Sequence, residues 1–171
     1  MDERHDREQY FFSAATTSYL ADFAARFENP CCLCAPSVGV ELARRGVRVR
    51  ILDLDERFAK TPGFRRYDLY RPEWLGEPFG IIVCDPPFFN VSLSQLFAAL
   101  RLLGRNRYEQ PLLISYLRRR AASIEGTFTR FGLRATGYCP AYKTVQALAR
   151  NEIEFFGNLS DAQHAELAGG G

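Results

Sequence analysis

The strongest chemical signal in the sequence is a four-residue loop that directly follows an apolar run. Asp85, Pro86, Pro87 and Phe88 come straight after Gly-Ile-Ile-Val-Cys at 80–84. An amino group attached to an aromatic ring is a weak nucleophile, because its lone pair is delocalised into the ring. A carboxylate and a backbone carbonyl can accept its two N–H groups and orient the lone pair toward a methyl donor. The loop is therefore a candidate for catalysis at a nitrogen atom.

The other three residues of this loop suit the same chemistry. Two prolines hold the backbone rigid and supply carbonyl groups without a competing N–H of their own. Phe88 offers a flat face on which a planar base can stack, at about 1–3 kcal/mol per base. The alternative interpretation is a strand that simply ends in a Pro-Pro turn.

The segments around this loop alternate between two hydrophobic periods. Apolar runs predict strands at 31–35, 47–53, 64–67, 80–84, 112–116, 133–137 and 152–156. Helical spacing predicts helices at 14–27, 38–45, 92–103 and 117–125. Such alternation indicates an α/β fold with a mainly parallel sheet, and the nearly consecutive last two strands predict an antiparallel pair at one edge.

Ligands in open α/β sheets bind at the carboxyl ends of the strands. That rule directs attention to the loops that follow Ala35, Asp53, Tyr67 and Cys84. The Asp85 loop is one of these four, so the candidate catalytic residues are expected beside a ligand pocket.

The composition is that of one globular domain. The chain has 171 residues, of which 47% are hydrophobic and 25% charged. We expect a tail at 1–8, a domain at 9–159 and a C-terminal tail or short helix at 160–171. The N-terminus carries both charge signs and no apolar core, which is not typical of a secretory signal. No run approaches the ~18 apolar residues of a membrane span. A cytoplasmic protein without a membrane partner is expected.

Arginine and cysteine are distributed unevenly. The net charge is only +2, and Lys60 and Lys143 are the only lysines. Arginine clusters at 44–50, 65–66 and 118–120 suit phosphate recognition, although solvated helix ends are the alternative. The odd number of cysteines, five, argues against a disulfide framework. The cluster at 31–34 lacks the second ligand pair of a structural zinc site, so we predict no metal and a buried strand.

The Asp85 loop resembles the [Asn/Asp/Ser]-Pro-Pro-[Tyr/Phe/Trp] motif of methyltransferases that act on adenine N6, cytosine N4 and some protein amides or amines. Further matches follow in family order: Gln-Tyr-Phe-Phe at 9–12, Ala-Pro-Ser at 35–37, Leu-Asp-Glu-Arg-Phe-Ala at 54–59 and Tyr-Asp at 67–68. Together they resemble the N6-adenine methyltransferase-like branch, which includes elongation-factor lysine methyltransferases and zinc-knuckle ribosomal-RNA adenine methyltransferases.

This resemblance implies a class I, Rossmann-like fold with S-adenosylmethionine (SAM) at the strand ends. The implied catalytic residues are Asp85, Pro86, Pro87 and Phe88. The implied cofactor residues are Gln9, Phe11, Phe12, Ala35, Pro36, Ser37, Asp53, Asp55 and Asp68. The cofactor loop at 34–37 lacks the usual Gly-x-Gly turn of such enzymes, as the branch itself does.

Three aspartates are assigned to the cofactor on this basis, each with a structural alternative. A carboxylate at the end of the second strand can accept both ribose hydroxyls, and Asp53 is better placed for this than Asp55. Either can instead cap the following turn. Asp68 can accept from the adenine amino group or simply stabilise its own turn. Tyr116, Lys143 and Asn151 are weaker candidates for substrate contact.

The resemblance leaves the substrate open. Adenine N6 of RNA, above all ribosomal RNA, is favoured by Phe88, which the ribosomal-RNA relatives also carry, and by arginines suited to phosphates. A lysine of a translation factor or other protein is the alternative, with the aromatic ring in a cation–π contact. A catalytically silent binding module is a third. A sequence-specific DNA enzyme is not expected, because the chain offers no length for a target-recognition domain.

Overall fold

The protein is built around a seven-stranded sheet, in a computed structural model that describes residues 2–3, 10–144 and 152–170. Its strands are β1 (Cys31–Leu33), β2 (Arg50–Asp53), β3 (Phe64–Arg66), β4 (Ile82–Cys84), β5 (Leu112–Leu117), β6 (Arg134–Ala135) and β7 (Ile153–Gly157). Their order across the sheet is β3-β2-β1-β4-β5-β7-β6.

The first five strands are paired in parallel, and β7 runs antiparallel between β5 and β6. The predicted α/β fold, with its mainly parallel sheet and antiparallel edge, is confirmed. The strand order reverses between β1 and β4, the point at which open α/β sheets form a ligand crevice.

The described residues form five α-helices beside these strands: α1 (Ala14–Ala24), α2 (Pro36–Arg44), α3 (Leu93–Leu103), α4 (Ala121–Thr127) and α5 (Asp161–Gly169). Ser13 and Ser92 cap α1 and α3, and Ser92 forms a reciprocal capping box with Gln95. None of the described helices is both long and apolar enough to cross a bilayer.

The helices cover the sheet on both faces, and alternate residues of each strand point to opposite faces. Leu112 and Ile114 of β5 belong to the core beneath α3 and α4. Leu113 belongs to the core beneath α1, α2 and α5. Cys31 and Cys32 of β1 are fully buried on opposite faces as well, as predicted for an apolar strand. This two-sided burial explains why the parallel strands appear as continuous apolar runs rather than alternating ones.

Several boundaries differ from the predicted ones for local reasons. Helix α2 begins two residues earlier than predicted, because Pro36 occupies its first turn, where a missing N–H costs nothing. The predicted helix at 117–125 is instead a 3-10 turn at Arg118–Arg120 followed by α4.

The C-terminal segment forms a capped helix. Ser160 and Gln163 build a capping box, and Leu167 is fully buried. Two exposed ion pairs, Arg134–Asp161 at 2.6 Å and Arg26–Glu166 at 2.7 Å, accompany it. The sequence predicted either a tail or a short helix here, and the structure has the short helix. The predicted domain limits at 9 and 159 stay predictions.

Gly63, in the turn before β3, is required by both conformation and space. Its φ is +88°, and a Cβ there would lie 1.9 Å from the Val49 carbonyl oxygen. Gly63→Ala is expected to lower the free energy of unfolding by about 2 kcal/mol or more, since left-handed strain and overpacking add. Chemical denaturation measures this loss.

The matched control is Gly126→Ala in α4, where a Cβ meets nothing within 4 Å. Here the free energy of unfolding should rise by up to about 1 kcal/mol, because alanine favours helix over glycine. Equal effects of the two substitutions would contradict this account of Gly63.

Candidate active site

A cavity of about 480 Å³ opens at the carboxyl ends of the strands. This volume lies within the ~300–1,000 Å³ typical of small-molecule sites. Its walls come from the loops after β1, β2, β3 and β4, the end of β5, the start of β7 and the segment 139–142. The four loops that the strand-end rule singled out therefore meet at one place.

Most of the predicted site residues line this cavity. They are Phe11, Pro36, Asp53, Asp55, Asp68, Asp85, Pro86, Pro87 and Phe88. Phe12, Ala35 and Ser37 are not part of the lining. Gln9 and Asn151 lie outside the described residues.

The three residues outside the lining have other surroundings. Phe12 is buried in the core, with ring centroids 5.0 Å from Tyr142 and 5.9 Å from Phe155. Ala35 is the N-cap residue of α2, and Ser37 lies in the first turn of that helix. The structure thus places Ala35 and Ser37 beside the cavity wall at Pro36, and Phe12 behind it.

Asp85 is positioned by the pairing of β4 with β5. Cys84 pairs with Ile114, so the next residues, Asp85 and Ser115, are level with each other. The Ser115 hydroxyl donates a hydrogen bond to Asp85 Oδ1, and the Tyr142 hydroxyl donates another to the same oxygen at 2.9 Å. Within the described part of the chain, no donor reaches Asp85 Oδ2.

Burial raises the pKa of Asp85 to about 7. The two hydroxyl donors oppose this rise, because they stabilise the charged form, while the nearby charge of Asp53 adds to it. A carboxyl group that titrates near neutrality in a cleft is a candidate for proton chemistry.

The sequence prediction missed both partners of Asp85. Ser115 is a polar residue at a fully buried position of β5, which is a signal that could have identified it. Tyr142 gave no such signal, since it lies in an irregular segment distant along the chain.

Asp53 and Asp55 have separate tasks. Asp55 caps the 3-10 turn after β2 by accepting the Arg57 N–H at 3.1 Å, and its carboxylate pairs with the Arg57 guanidinium at 2.6 Å. Asp53 accepts the Asp55 amide at 2.8 Å and lines the cavity. Desolvation is the main reason that the pKa of Asp53 rises, to about 6. Asp55 is thus engaged by Arg57, whereas Asp53 has no ion pair among the described residues; the predicted role of Asp53 toward a ligand stays a prediction.

The loop after β1 takes an unusual backbone conformation. Cys34 has φ of +54°, in the left-handed region that costs a non-glycine residue about 1–2 kcal/mol. Its amide donates to Leu52 O at 2.8 Å, which ties the loop to β2. Helix α2 then begins at the cavity wall without a side-chain cap, so its first-turn amides can bind an anion.

The loops after β3 and β4 contact each other at the cavity mouth. Asp68 accepts the Tyr70 amide at 2.9 Å in a tight turn, and the Tyr70 hydroxyl donates to the Asn90 carbonyl. Phe89 lines the mouth with 67% of its surface exposed. Asp68 therefore does stabilise its own turn while also facing the cavity.

Phe88 is held from behind by Tyr116. Their rings meet edge to face with centroids 5.8 Å apart, and Tyr116 is buried outside the cavity lining. Lys143, another weaker candidate, lies with its Nζ 5.8 Å from the Phe11 ring centroid.

The cavity is strongly acidic. Carboxylates of Asp53, Asp55, Asp68, Asp85 and Glu152 line it. Among the residues that the structure describes, no lysine or arginine is part of the lining. Within the described ranges, no group of three or more His, Cys, Asp or Glu side chains could hold a metal ion. The lining therefore favours an organic ligand that carries positive charge.

Comparison with known families identifies the chain. The model of the probable N6-adenine methyltransferase family matches residues 3–160. The chain belongs to this family. It is therefore a methyltransferase, and the predicted resemblance is confirmed at the level of this family, whereas the narrower branch stays a prediction. No curated protein matches its sequence.

Solved structures show the same fold in distant proteins. A candidate RNA methyltransferase from Pyrococcus horikoshii has 14% identity and a TM-score of 0.61, with 91% of this chain and 88% of that chain covered. A TehB-like methyltransferase from Corynebacterium glutamicum has 16% identity and a TM-score of 0.57, covering 85% and 88%. Magnesium protoporphyrin IX methyltransferase from Synechocystis, solved with bound SAM, has 14% identity and a TM-score of 0.55, with 83% of this chain and 76% of that chain covered. The methyltransferase thus has the class I SAM-dependent fold.

The raised pKa values have a consequence for stability. Asp85 and Asp53 titrate near 7 and 6 in the folded state, above the ~3.9 of an unfolded chain. Between about pH 4 and 7 the folded state therefore binds more protons, and stability falls as pH rises. Asp85→Asn removes one of these charges. At pH 8 its free energy of unfolding should therefore exceed that of wild type by on the order of 1–2 kcal/mol.

Chemical denaturation at pH 5 and pH 8 measures this difference, which should be much smaller at pH 5. The control is Asp161→Asn at a fully exposed carboxylate, for which no comparable gain at pH 8 is expected. A gain of the same size at both pH values for Asp85→Asn would contradict the assignment.

Proposed function

We propose that this methyltransferase transfers a methyl group from SAM to the N6 amine of adenine in RNA, with ribosomal RNA as the foremost substrate. The observation that carries the proposal is Asp85 at the cavity wall, with Oδ1 held by two hydroxyls and Oδ2 left for an incoming amine. Pro86, Pro87 and Phe88 continue the same wall.

The cavity fits the cofactor. SAM supplies an electrophilic methyl group on a cationic sulfonium, and its own ammonium adds a second positive charge. The acidic lining suits these charges. Asp53 would accept the ribose hydroxyls, since Asp55 is engaged with Arg57. The uncapped start of α2 would bind the carboxylate of the cofactor.

The residues of the chain act on the target amine by orientation. Asp85 Oδ2 accepts one N–H, and a backbone carbonyl of the 85–88 loop accepts the other, which directs the lone pair at the donor. The nitrogen becomes strongly acidic once methylated, and Asp85 Oδ2 takes up the proton it loses. With its pKa near 7, Asp85 is ionised to a useful degree at neutral pH and can serve this purpose.

An aromatic rim supports a nucleic-acid substrate. The large apolar side chains exposed in the described chain are Leu54, Tyr70, Trp74 and Phe89. Leu54, Tyr70 and Phe89 lie on the loops that follow β2, β3 and β4 and line the cavity, whereas Trp74 lies further along the connection from β3 to β4 and outside the lining. Unpaired bases stack on such side chains, and exposed Arg119 and Arg120 after β5 can contact phosphates.

A lysine side chain of a protein is the second candidate. It is favoured by the acidic cavity lining, in which the carboxylate of Glu152 lies in addition to those of Asp53, Asp55, Asp68 and Asp85. Such a lining stabilises an ammonium group, whereas adenine brings no charge. The experiment below separates the two substrates and also tests for a catalytically silent protein.

The direct test is transfer of radiolabelled methyl groups from SAM to lysate of a strain that lacks this protein. The product is divided into RNase-treated and protease-treated halves, and nucleosides are analysed for N6-methyladenosine. Label should disappear with RNase and survive protease. Asp85→Ala should lower the rate about 100-fold or more, because it removes the amine acceptor.

Asp85→Asn is the matched variant, since it keeps the shape and an acceptor oxygen but removes the charge. Label that survives RNase but not protease would overturn the RNA proposal in favour of lysine. If no label is transferred and the protein does not bind SAM, the remaining interpretation is a catalytically silent binding module.

Phe89 provides a test of the aromatic rim. Phe89→Ala should raise KM for RNA by about 5- to 100-fold, corresponding to loss of one stacked base, while the affinity for SAM stays the same. Steady-state transfer to RNA and calorimetry with SAM measure the two quantities. Trp74→Ala is the control, since Trp74 is exposed but outside the cavity lining, and its effect should be smaller. A weaker affinity for SAM in Phe89→Ala would contradict a role in RNA binding.

A further inference from the structure

We propose that Tyr142 is a positioning residue for Asp85, and that the N-terminal segment 11–13 holds Tyr142 in place. In this arrangement the segment acts on catalysis through Tyr142. The inference rests on the proposed role of Asp85 as acceptor of the substrate amine, but it requires no particular substrate.

The first step is the double hydrogen bond on a single oxygen. Tyr142 and Ser115 each donate a hydroxyl hydrogen to Asp85 Oδ1, and the Ser115 hydroxyl also makes a longer contact of 3.4 Å with the Cys84 carbonyl oxygen. The two donors approach from different elements, Ser115 from β5 and Tyr142 from the segment before the last strand. Rotation of the carboxylate would break both bonds. Oδ2 is therefore kept as the oxygen that meets the amine, which is the preorganisation that catalysis by orientation needs.

The second step is the anchorage of Tyr142. Residues Phe12 and Tyr142 form an isolated antiparallel bridge, and their rings lie 5.0 Å apart. Backbone hydrogen bonds flank this bridge on both sides, from the Lys143 amide to Phe11 O at 2.9 Å and from the Ser13 amide to Ala141 O at 2.7 Å.

Phe12 is itself fixed in the core. It is 1% exposed and packs against Phe155 of β7. A buried ring on one side and a backbone bridge on the other leave Tyr142 little freedom. The aromatic element at the N-terminus, expected to contact the cofactor, thus reaches the catalytic carboxylate by way of Phe12 and Tyr142.

The ionisable neighbours of Asp85 limit what else could change its titration. The thiols of Cys34 and Cys84 and the phenol of Tyr142 have pKa values well above their usual ones, chiefly through burial, so they stay neutral from pH 5 to 9. Among the described residues, the charged group that affects Asp85 is Asp53, whose carboxylate raises the pKa of Asp85. Loss of the Tyr142 hydroxyl removes a donor to the charged form, so the pKa of Asp85 must rise.

The test is Tyr142→Phe in the full chain, which keeps the ring and removes the hydroxyl. Carbon-13 NMR of labelled aspartate carboxyls, assigned with Asp85→Asn, should show the Asp85 pKa higher than in wild type. Ser115→Ala should shift it in the same direction. In transfer to total cellular RNA, kcat should fall about 10- to 100-fold and the acidic limb of its pH profile should move up, while the KM for SAM is unchanged.

Tyr138→Phe is the matched control. Tyr138 is another buried tyrosine before the last strand, and it stacks on Phe155 with centroids 5.8 Å apart. Its substitution should leave the Asp85 pKa where it is in wild type. A shift of the same size in this variant would attribute the effect to general loosening and overturn the proposal.

Phe12→Leu tests the anchorage. It should raise the Asp85 pKa in the wild-type background and add nothing further in the Tyr142→Phe background, since both changes act through one hydroxyl. Additive shifts, or an unchanged Asp85 pKa in Tyr142→Phe, would overturn the inference. If RNA is not the substrate, the NMR titration still gives these outcomes, so failure of the substrate proposal remains distinguishable.

Discussion

A carboxylate that leaves water must find hydrogen-bond donors, and this requirement organises the site around Asp85. Burial alone pushes the pKa of Asp85 upward, and the hydroxyls of Ser115 and Tyr142 recover part of the lost solvation. The donors must arrive from other parts of the chain, because prolines follow Asp85 directly and bring no N–H. The parallel pairing of β4 with β5 supplies one donor, and the segment bridged to Phe12 supplies the other.

The two aspartates after β2 also differ in how far hydrogen bonds and ion pairs offset the burial of their carboxylates. Asp55 is fully compensated by Arg57 and by the turn that it caps. Asp53 accepts an amide but contacts no cation among the described residues, and its burial raises its pKa. A buried carboxylate that is incompletely satisfied gains from an added donor, which is the physical basis of the proposal that Asp53 accepts the ribose hydroxyls of the cofactor.

One residue at the same edge of the sheet, Cys34, has a strained backbone. Cys34 takes a left-handed conformation where many enzymes of this fold have glycine, and it is held there by its hydrogen bond to β2 and by the start of α2. Strain of this kind persists where the surrounding structure determines the backbone. The conformation that the glycine-rich turn usually provides is thus reached here by tertiary contacts.

The sequence by itself determined the features that depend on neighbours along the chain. Hydrophobic period gave the alternation of strands and helices, and a Pro-Pro pair at the end of an apolar run located the Asp85 loop that lines the cavity. Distance from the strand end, a local property, also favoured Asp53 over Asp55 for a ligand; Asp53 lines the cavity and Asp55 is paired with Arg57, and the ligand role of Asp53 stays a prediction. The other site residues were predicted from the family resemblance. One of them, Phe12, was assigned to the cofactor but is not part of the cavity lining.

Only the tertiary structure decided which groups surround these residues. Ser115 and Tyr142 are 30 and 57 residues from Asp85, and no local pattern records such pairings. The role of Phe12 became visible only when its bridge to Tyr142 was known, and the packing of Leu167 only when α5 was placed against the core. The physical reason is that periodicity and turn chemistry act over a few residues, whereas burial and hydrogen-bond compensation depend on segments that meet only after the chain has folded.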